Sequence, residues 1–164
     1  MKKIKLILLF LSVVVIAACS SDDDNTESGQ IEGVWKADLF YMEGEVDEGE
    51  FTVEGIDFSG MKVDFKPDGT YVSDGDSFTV KYTMNMMGQE FSDTATNENP
   101  FNEGTWEKNG NTLTVKDIDE DEDFDFKIEK LTSNRLEISS RDIDVEEMDE
   151  LVEGNFKVTI GFKR

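Results

Sequence analysis

From Ile31 onward, apolar and polar residues alternate with a period of two, the spacing of strands that bury one face. In "VWKADLFYM" this places Trp35, Ala37, Leu39 and Tyr41 on one side. In "MKVDFKPDGTY" Met61, Val63 and Phe65 point inward and Lys62, Asp64 and Lys66 outward, and Pro67-Asp68-Gly69 turns the chain. "FTVKYTMNM" carries Phe78, Val80, Tyr82, Met84 and Met86 at strict spacing, Gly88 ends that strand, and "EFSDTAT" returns. "GTWEKNGNTLTV" predicts a hairpin with Asn109-Gly110 in a type I′ turn, Leu113 and Val115 facing one way and Thr112 and Thr114 the other. Further alternation follows in Phe124, Phe126 and Ile128, in Leu136 and Ile138, and in Phe156, Val158, Ile160 and Phe162.

One segment changes period. Val145, Met148, Leu151 and Val152 recur at helical spacing, Asp144 and Glu147 form a capping-box-like start, and Gly154 can close the turn. A short helix is expected over 144–153, with a mobile acidic loop as the alternative. The rest amounts to about eight to ten short strands joined mostly by tight turns. Such a meander must curl or close, because an open sheet edge invites aggregation. The fold class expected for 31–164 is therefore all-β, an up-and-down antiparallel β-barrel. At eight or more strands, its interior holds side chains or one small ligand.

The amino terminus has a different character. Residues 1–18, "MKKIKLILLFLSVVVIAA", open with lysines and continue with a run that is apolar except for Ser12, the pattern of a secretory signal peptide. At about 13 residues the run is short for a bilayer, which takes roughly 20 helical residues, so a transmembrane anchor is the weaker reading. Ile16-Ala17-Ala18-Cys19 resembles a bacterial lipobox, with Ile where Leu is usual. The resemblance implies cleavage before Cys19, diacylglycerol on its sulfur and a further acyl chain on its new amine. Each buried methylene contributes roughly 0.8 kcal/mol, so two or three chains hold a protein at a membrane where one does not. Residues 19–30 then form an acidic tether. Ser20-Ser21-Asp22-Asp23-Asp24 resembles the lipoprotein export signal of Bacteroidetes-type bacteria, which implies the cell surface of the outer membrane. The periplasmic leaflet is the alternative, and a plain solvated linker accounts for the same residues.

Charge and composition narrow the function classes. The chain has 38 acidic and 16 basic residues, for a net charge of −22, and three of its lysines (Lys2, Lys3 and Lys5) lie in the removable segment. Such a balance repels nucleic acid and favours cationic partners. Twelve Phe and two Trp, together with the alternation, argue against the disorder that acidic composition can signal. There is no histidine and only one cysteine. Histidine triads, ordinary zinc sites and internal disulfides are thereby excluded, and no cofactor-binding or catalytic constellation stands out.

Ile31-Glu32-Gly33-Val34-Trp35 is a G-x-W opening, and behind it come "FKPDGTY", "GTWEKNGNTLTV", "KLTSNRLEIS" and a closing "FKR". In that order the phrases resemble the lipocalin-like lipoproteins of Bacteroidetes-type bacteria, over most of residues 31–164. The resemblance implies an up-and-down barrel with Gly33 letting the first strand pass close to the floor. It also implies that Trp35 plugs the closed end and that Arg164 lies over Trp35.

Among candidate sites, Trp35, Phe65, Phe78, Tyr82, Met84, Met86 and Phe126, with Met87 beside them, could line an apolar ligand cavity, since Met suits adaptable pockets. Ordinary packed core is the competing reading. The acidic run 117–125 faintly resembles a calcium loop, but Glu122 stands where an EF-hand needs glycine, so a solvated hairpin tip is preferred. No metal site is expected. Two functions remain. One is a non-enzymatic outer-membrane lipoprotein that binds a small hydrophobic ligand. The other is a cell-envelope module with a packed barrel that docks a protein or glycan. A filled interior favours the second, and an open apolar cavity favours the first.

Overall fold

The computed structural model describes residues 29–46, 49–75, 77–99, 101–118, 123–141 and 156–164. They form eleven strands: β1 (Gly33–Val46), β2 (Gly49–Asp57), β3 (Lys62–Phe65), β4 (Thr70–Asp74), β5 (Ser77–Met86), β6 (Gln89–Glu98), β7 (Glu103–Asn109), β8 (Thr112–Asp117), β9 (Asp123–Leu131), β10 (Arg135–Ser140) and β11 (Phe156–Lys163). There is no helix among the described residues. The helix expected over 144–153 lies outside them, as do Cys19, the signal segment and most of the tether.

The registers reduce the eleven strands to eight chain runs. β3 and β2 lie end to end along one edge of β1, with Gly33 opposite Phe65 and Tyr41 opposite Glu54. β4 and β5 lie end to end against them, and β7 and β6 lie end to end against β4 and β5. Each of these three runs is one long strand interrupted midway. β8, β9 and β10 follow in order, and β11 pairs antiparallel with both β10 and β1. The result is a closed, eight-run, up-and-down antiparallel barrel.

The runs are unequal in height. β1 has 14 residues and β5 and β6 have 10 each, whereas β8 and β10 have 6 each. On one side the wall, formed by upper β1, β2, β5 and β6, therefore rises above the ring. We call this the open end, a label that refers to the described residues alone. The closed end carries the entry at 29–32, the turn at 66–69, the turn at 110–111 and Arg164.

Two local expectations are corrected. Leu39 and Tyr41 do not share the face of Trp35. A bulge between Ala37 and Leu39 adds one residue, Asp38, and the alternation restarts one position later. Phe40 and Met42 are the residues that pack inward, while Leu39 and Tyr41 stay half-exposed. The carboxylate of Asp38, left on the wall, pairs with Arg135 and lies 3.7 Å from Lys163. The other correction concerns the hairpin between β7 and β8. Asn109 pairs with Thr112, so the turn residues are Gly110-Asn111, and only Gly110 takes a positive φ (60°). The double positive φ of a type I′ turn occurs instead at Met87 (51°) and Gly88 (78°), between β5 and β6.

Candidate functional site: an apolar cup above a packed floor

The closed end is built around two indoles. Trp35, from the first turn of β1, is fully buried and donates from Nε1 to the Ile31 carbonyl at 2.5 Å. The Arg164 guanidinium lies 4.2 Å from the centre of the Trp35 ring and donates to the carbonyls of Gln30 (2.8 Å) and Glu32 (2.6 Å). Gly33 has φ +117°, a conformation that side chains avoid, and faces that guanidinium. Trp106 donates to the carbonyls of Lys66 and Thr70, both at 3.1 Å, and meets Phe65 edge-on at 5.6 Å. Leu113, Leu136, Phe162 and Val63 are fully buried in the same core, with Val63 opposite Trp35 and Leu136 opposite Phe162 in register.

The middle of the barrel is also filled. Phe78 packs against Phe40 at 5.2 Å and lies parallel to Phe58 at 6.2 Å. Phe58 comes from the interruption between β2 and β3, and it finds room because position 55 is glycine. A Cβ there would collide with the Phe58 ring and with Phe40. Phe126 is buried on the opposite wall, in register with Leu113.

Above this level the character changes. Register places Phe51, Met84 and Phe91 side by side on the cup-facing surface, with Val53, Tyr82 and Asp93 in the row below. Phe51 stacks on Tyr82 at 6.1 Å and meets Phe156 edge-on at 6.3 Å. Gly44, between Phe51 and Phe156, leaves the space that the Phe156 ring occupies. Tyr82 and Met84 pack on the core yet stay partly open, Met86 is half-buried, and Phe91 is 56% exposed. The polar groups of this surface are few. Tyr82 Oη and the Asn97 side-chain amide meet at 3.0 Å, and Asp93 stands opposite Tyr82.

The seven candidate cavity residues thus divide. Trp35, Phe65, Phe78 and Phe126 belong to the packed floor and middle. Tyr82, Met84 and Met86 face the open end, and Met87 is 81% exposed on the turn above them. The interior is therefore filled below, while above that level Tyr82, Met84 and Met86 stay partly exposed beside the buried Phe51 and Phe156. Sequence reasoning missed Phe51, Phe91 and Phe156 as cup residues. Phe156 showed the right alternation and Phe51 lies in a stretch not read as a strand, and their meeting depends on register. Phe91 is an isolated apolar residue in a polar strand, and only its pairing with Met84 gives it a role.

The acidic run does not converge where it is described. Asp117 is buried opposite Gly104, Asp123 lies 3.6 Å from Lys116, and Asp125 accepts from Thr114 at 2.6 Å. Residues 119–122 lie outside the described set. Among the described residues, no group of three acidic, histidine or cysteine side chains is placed to hold a metal ion.

A closed eight-run antiparallel barrel with a plugged floor is a fold of the ligand-binding type. The model of the lipocalin-like domain family matches residues 31–138, so the chain belongs to that family. No match was found among curated proteins or among solved structures. The matched span stops within β10, while the strand that closes the barrel, β11, lies beyond it.

Proposed function

We propose that this chain is a non-enzymatic binding protein that holds a small apolar molecule in the cup at the open end. The observation that carries the reading is the row formed by Phe51, Met84 and Phe91, with Tyr82 beneath it. These apolar side chains share one face above a packed floor, and Phe91 remains 56% exposed. Leaving apolar surface in water costs roughly 25 cal/mol per Å², so an apolar guest that covers it gains that much. Tyr82 Oη, Asn97 and Asp93 supply the polar edge that orients the guest.

The same proposal places the protein at the bacterial outer membrane, held by acyl chains on Cys19, with the cell surface preferred over the periplasmic leaflet. The lipobox-like Ile16-Ala17-Ala18-Cys19 and the Ser-Asp run behind it support this placement. The chain enters the barrel at the floor, so the anchor joins the closed end and leaves the cup free. Titration of the full chain with the neutral dye N-phenyl-1-naphthylamine tests the binding reading. Saturable fluorescence enhancement that falls about tenfold in affinity in Met84→Glu is expected, since a carboxylate there opposes an apolar guest. Absence of saturation, or an unchanged affinity in that variant, rejects the cup. Loss of metabolic palmitate labelling and of membrane association in Cys19→Ser tests the anchor.

A further inference from the structure

The tall side of the barrel ends in an unusual edge. β6 pairs with β5 over all ten of its residues without a register shift. Among the described residues, no strand pairs with its other edge. The run that covers this side lower down, β8, ends at Asp117 opposite Gly104, below the level where β6 ends at Glu98. Eight of the ten β6 residues are exposed. An antiparallel strand directs the N–H and C=O of every second residue to each side, so the edge offers about five donors and five acceptors.

Natural edges are usually blunted by lysine, proline, a bulge or shortness. The sequence of β6, "QEFSDTATNE", has no lysine and no proline, and the strand is long and unbulged. Its charges are Glu90, Asp93 and Glu98, with no cation. The acidic character continues across the neighbouring strands. Glu45, Glu50, Asn85 and Glu90 lie in one row across β1, β2, β5 and β6, and Lys81 is the only cation on β2, β5 and β6. A second copy of this chain would bring like charges onto the same sheet and set one charge of −22 against another. A basic strand meets the opposite situation on both counts.

The edge is also held in shape at both ends. Below it, the Asn99 amide donates to Ser73 Oγ (2.7 Å) and to the Gly75 carbonyl (2.9 Å). The Asn99 side-chain oxygen takes the N–H of Phe101 (3.0 Å), and the Phe101 ring is buried in the core. Above it, the two-residue turn Met87-Gly88 fixes β6 on β5. A partner strand therefore finds its template already ordered, which lowers the entropy lost on docking.

We propose that β6 is a strand-addition site that takes an extended segment of a partner protein carrying Lys or Arg at alternate positions. Main-chain hydrogen bonds along the edge supply affinity, and Glu90 and Glu98 select the basic side chains. The site is independent of what the cup holds.

The test uses the full chain and a fluorescent ten-residue peptide that alternates Lys with Val and Thr. Two further peptides of the same sequence are N-methylated, one on each alternate set of residues. Strand addition uses one edge of the peptide, so one methylated form should lose about tenfold or more in affinity and the other should bind like the parent. The amides of Ser92–Thr96 should exchange more slowly with the parent peptide bound. Glu90→Lys with Glu98→Lys should weaken binding about tenfold. Equal binding by both methylated peptides would show attraction by charge alone and overturn the proposal. Equal binding of a peptide with Glu in place of Lys would overturn it too. So would protection of β6 that tracks protein concentration in the absence of peptide, which marks a second copy as the occupant.

Discussion

The residue that most directly secures the floor is Arg164. Its guanidinium covers Trp35 and donates to the carbonyls of Gln30 and Glu32, so one side chain joins the end of the chain to its entry. A cation–π contact contributes about 0.5–2 kcal/mol, and a charged hydrogen bond adds about 1.5 kcal/mol or more. Arg164→Ala should therefore lower stability by about 2–3 kcal/mol in urea unfolding, and Arg164→Lys by less, because lysine keeps the charge but not the fork. Carboxylates give the pH dependence. Lys127 and Ser139 both donate to Glu129 and hold its carboxyl below the usual range. Thr70 does the same for Asp68. A group with a lowered folded pKa adds stability above its unfolded pKa, and the contribution is lost as the pH falls through the folded value. In Ser139→Ala the Glu129 pKa should rise toward its ordinary value while that of Asp68 stays in place, as read by carboxyl NMR titration. Much at this scale was legible from the chain, since alternation placed Met61, Val63, Phe65, Leu113, Leu136 and Phe162 inward. Phe58 was not legible, because it is inserted from a break in a strand and owes its position to the missing Cβ of Gly55.

At the scale of elements, alternation predicted most strands but not β2 (Gly49–Asp57), and not where the runs are interrupted. The stretch 49–65 is one run along β1, yet it bends after Asp57 and resumes at Lys62, and the two runs beside it are interrupted as well. A bulge has no composition of its own, so the extra residue at Asp38 and the resulting exchange of Leu39 and Tyr41 for Phe40 and Met42 could not be read locally. The turns show the same limit. Asn-Gly chemistry pointed to 109–110, but the ladder runs one residue further, and Met87-Gly88 adopts the I′ conformation instead. Methionine at φ 51° carries the strain of the left-handed region, roughly 1–2 kcal/mol, which asparagine relieves in part. Met87→Asn should stabilise the protein by about 0.5–1 kcal/mol, seen as a higher denaturation midpoint with an unchanged m-value. An unchanged or lower midpoint would count against the turn.

At the scale of the whole molecule, closure depends on β11 meeting β1, from Lys36 opposite Lys163 to Gly44 opposite Phe156. The need for closure was legible, because a meander of this length leaves edges that must be covered. The asymmetry was not legible. It arises because one set of runs is longer than the other, and this raises a wall whose inner face is the cup and whose far edge is β6. Spacing put Tyr82, Met84 and Met86 on one strand face but could not separate their level from that of Phe65 and Phe78 below, because strand alternation does not encode height in a barrel. On the proposed reading, the upper face binds apolar molecules while the floor stays closed. The most direct test labels the methyl groups of the seven methionines and follows them by NMR during titration with N-phenyl-1-naphthylamine. Saturable shifts are expected at Met84 and Met86, with Met61, buried in the wall below, unmoved. No saturable shift at Met84 and Met86, or a shift of Met61 equal to theirs, would contradict that reading.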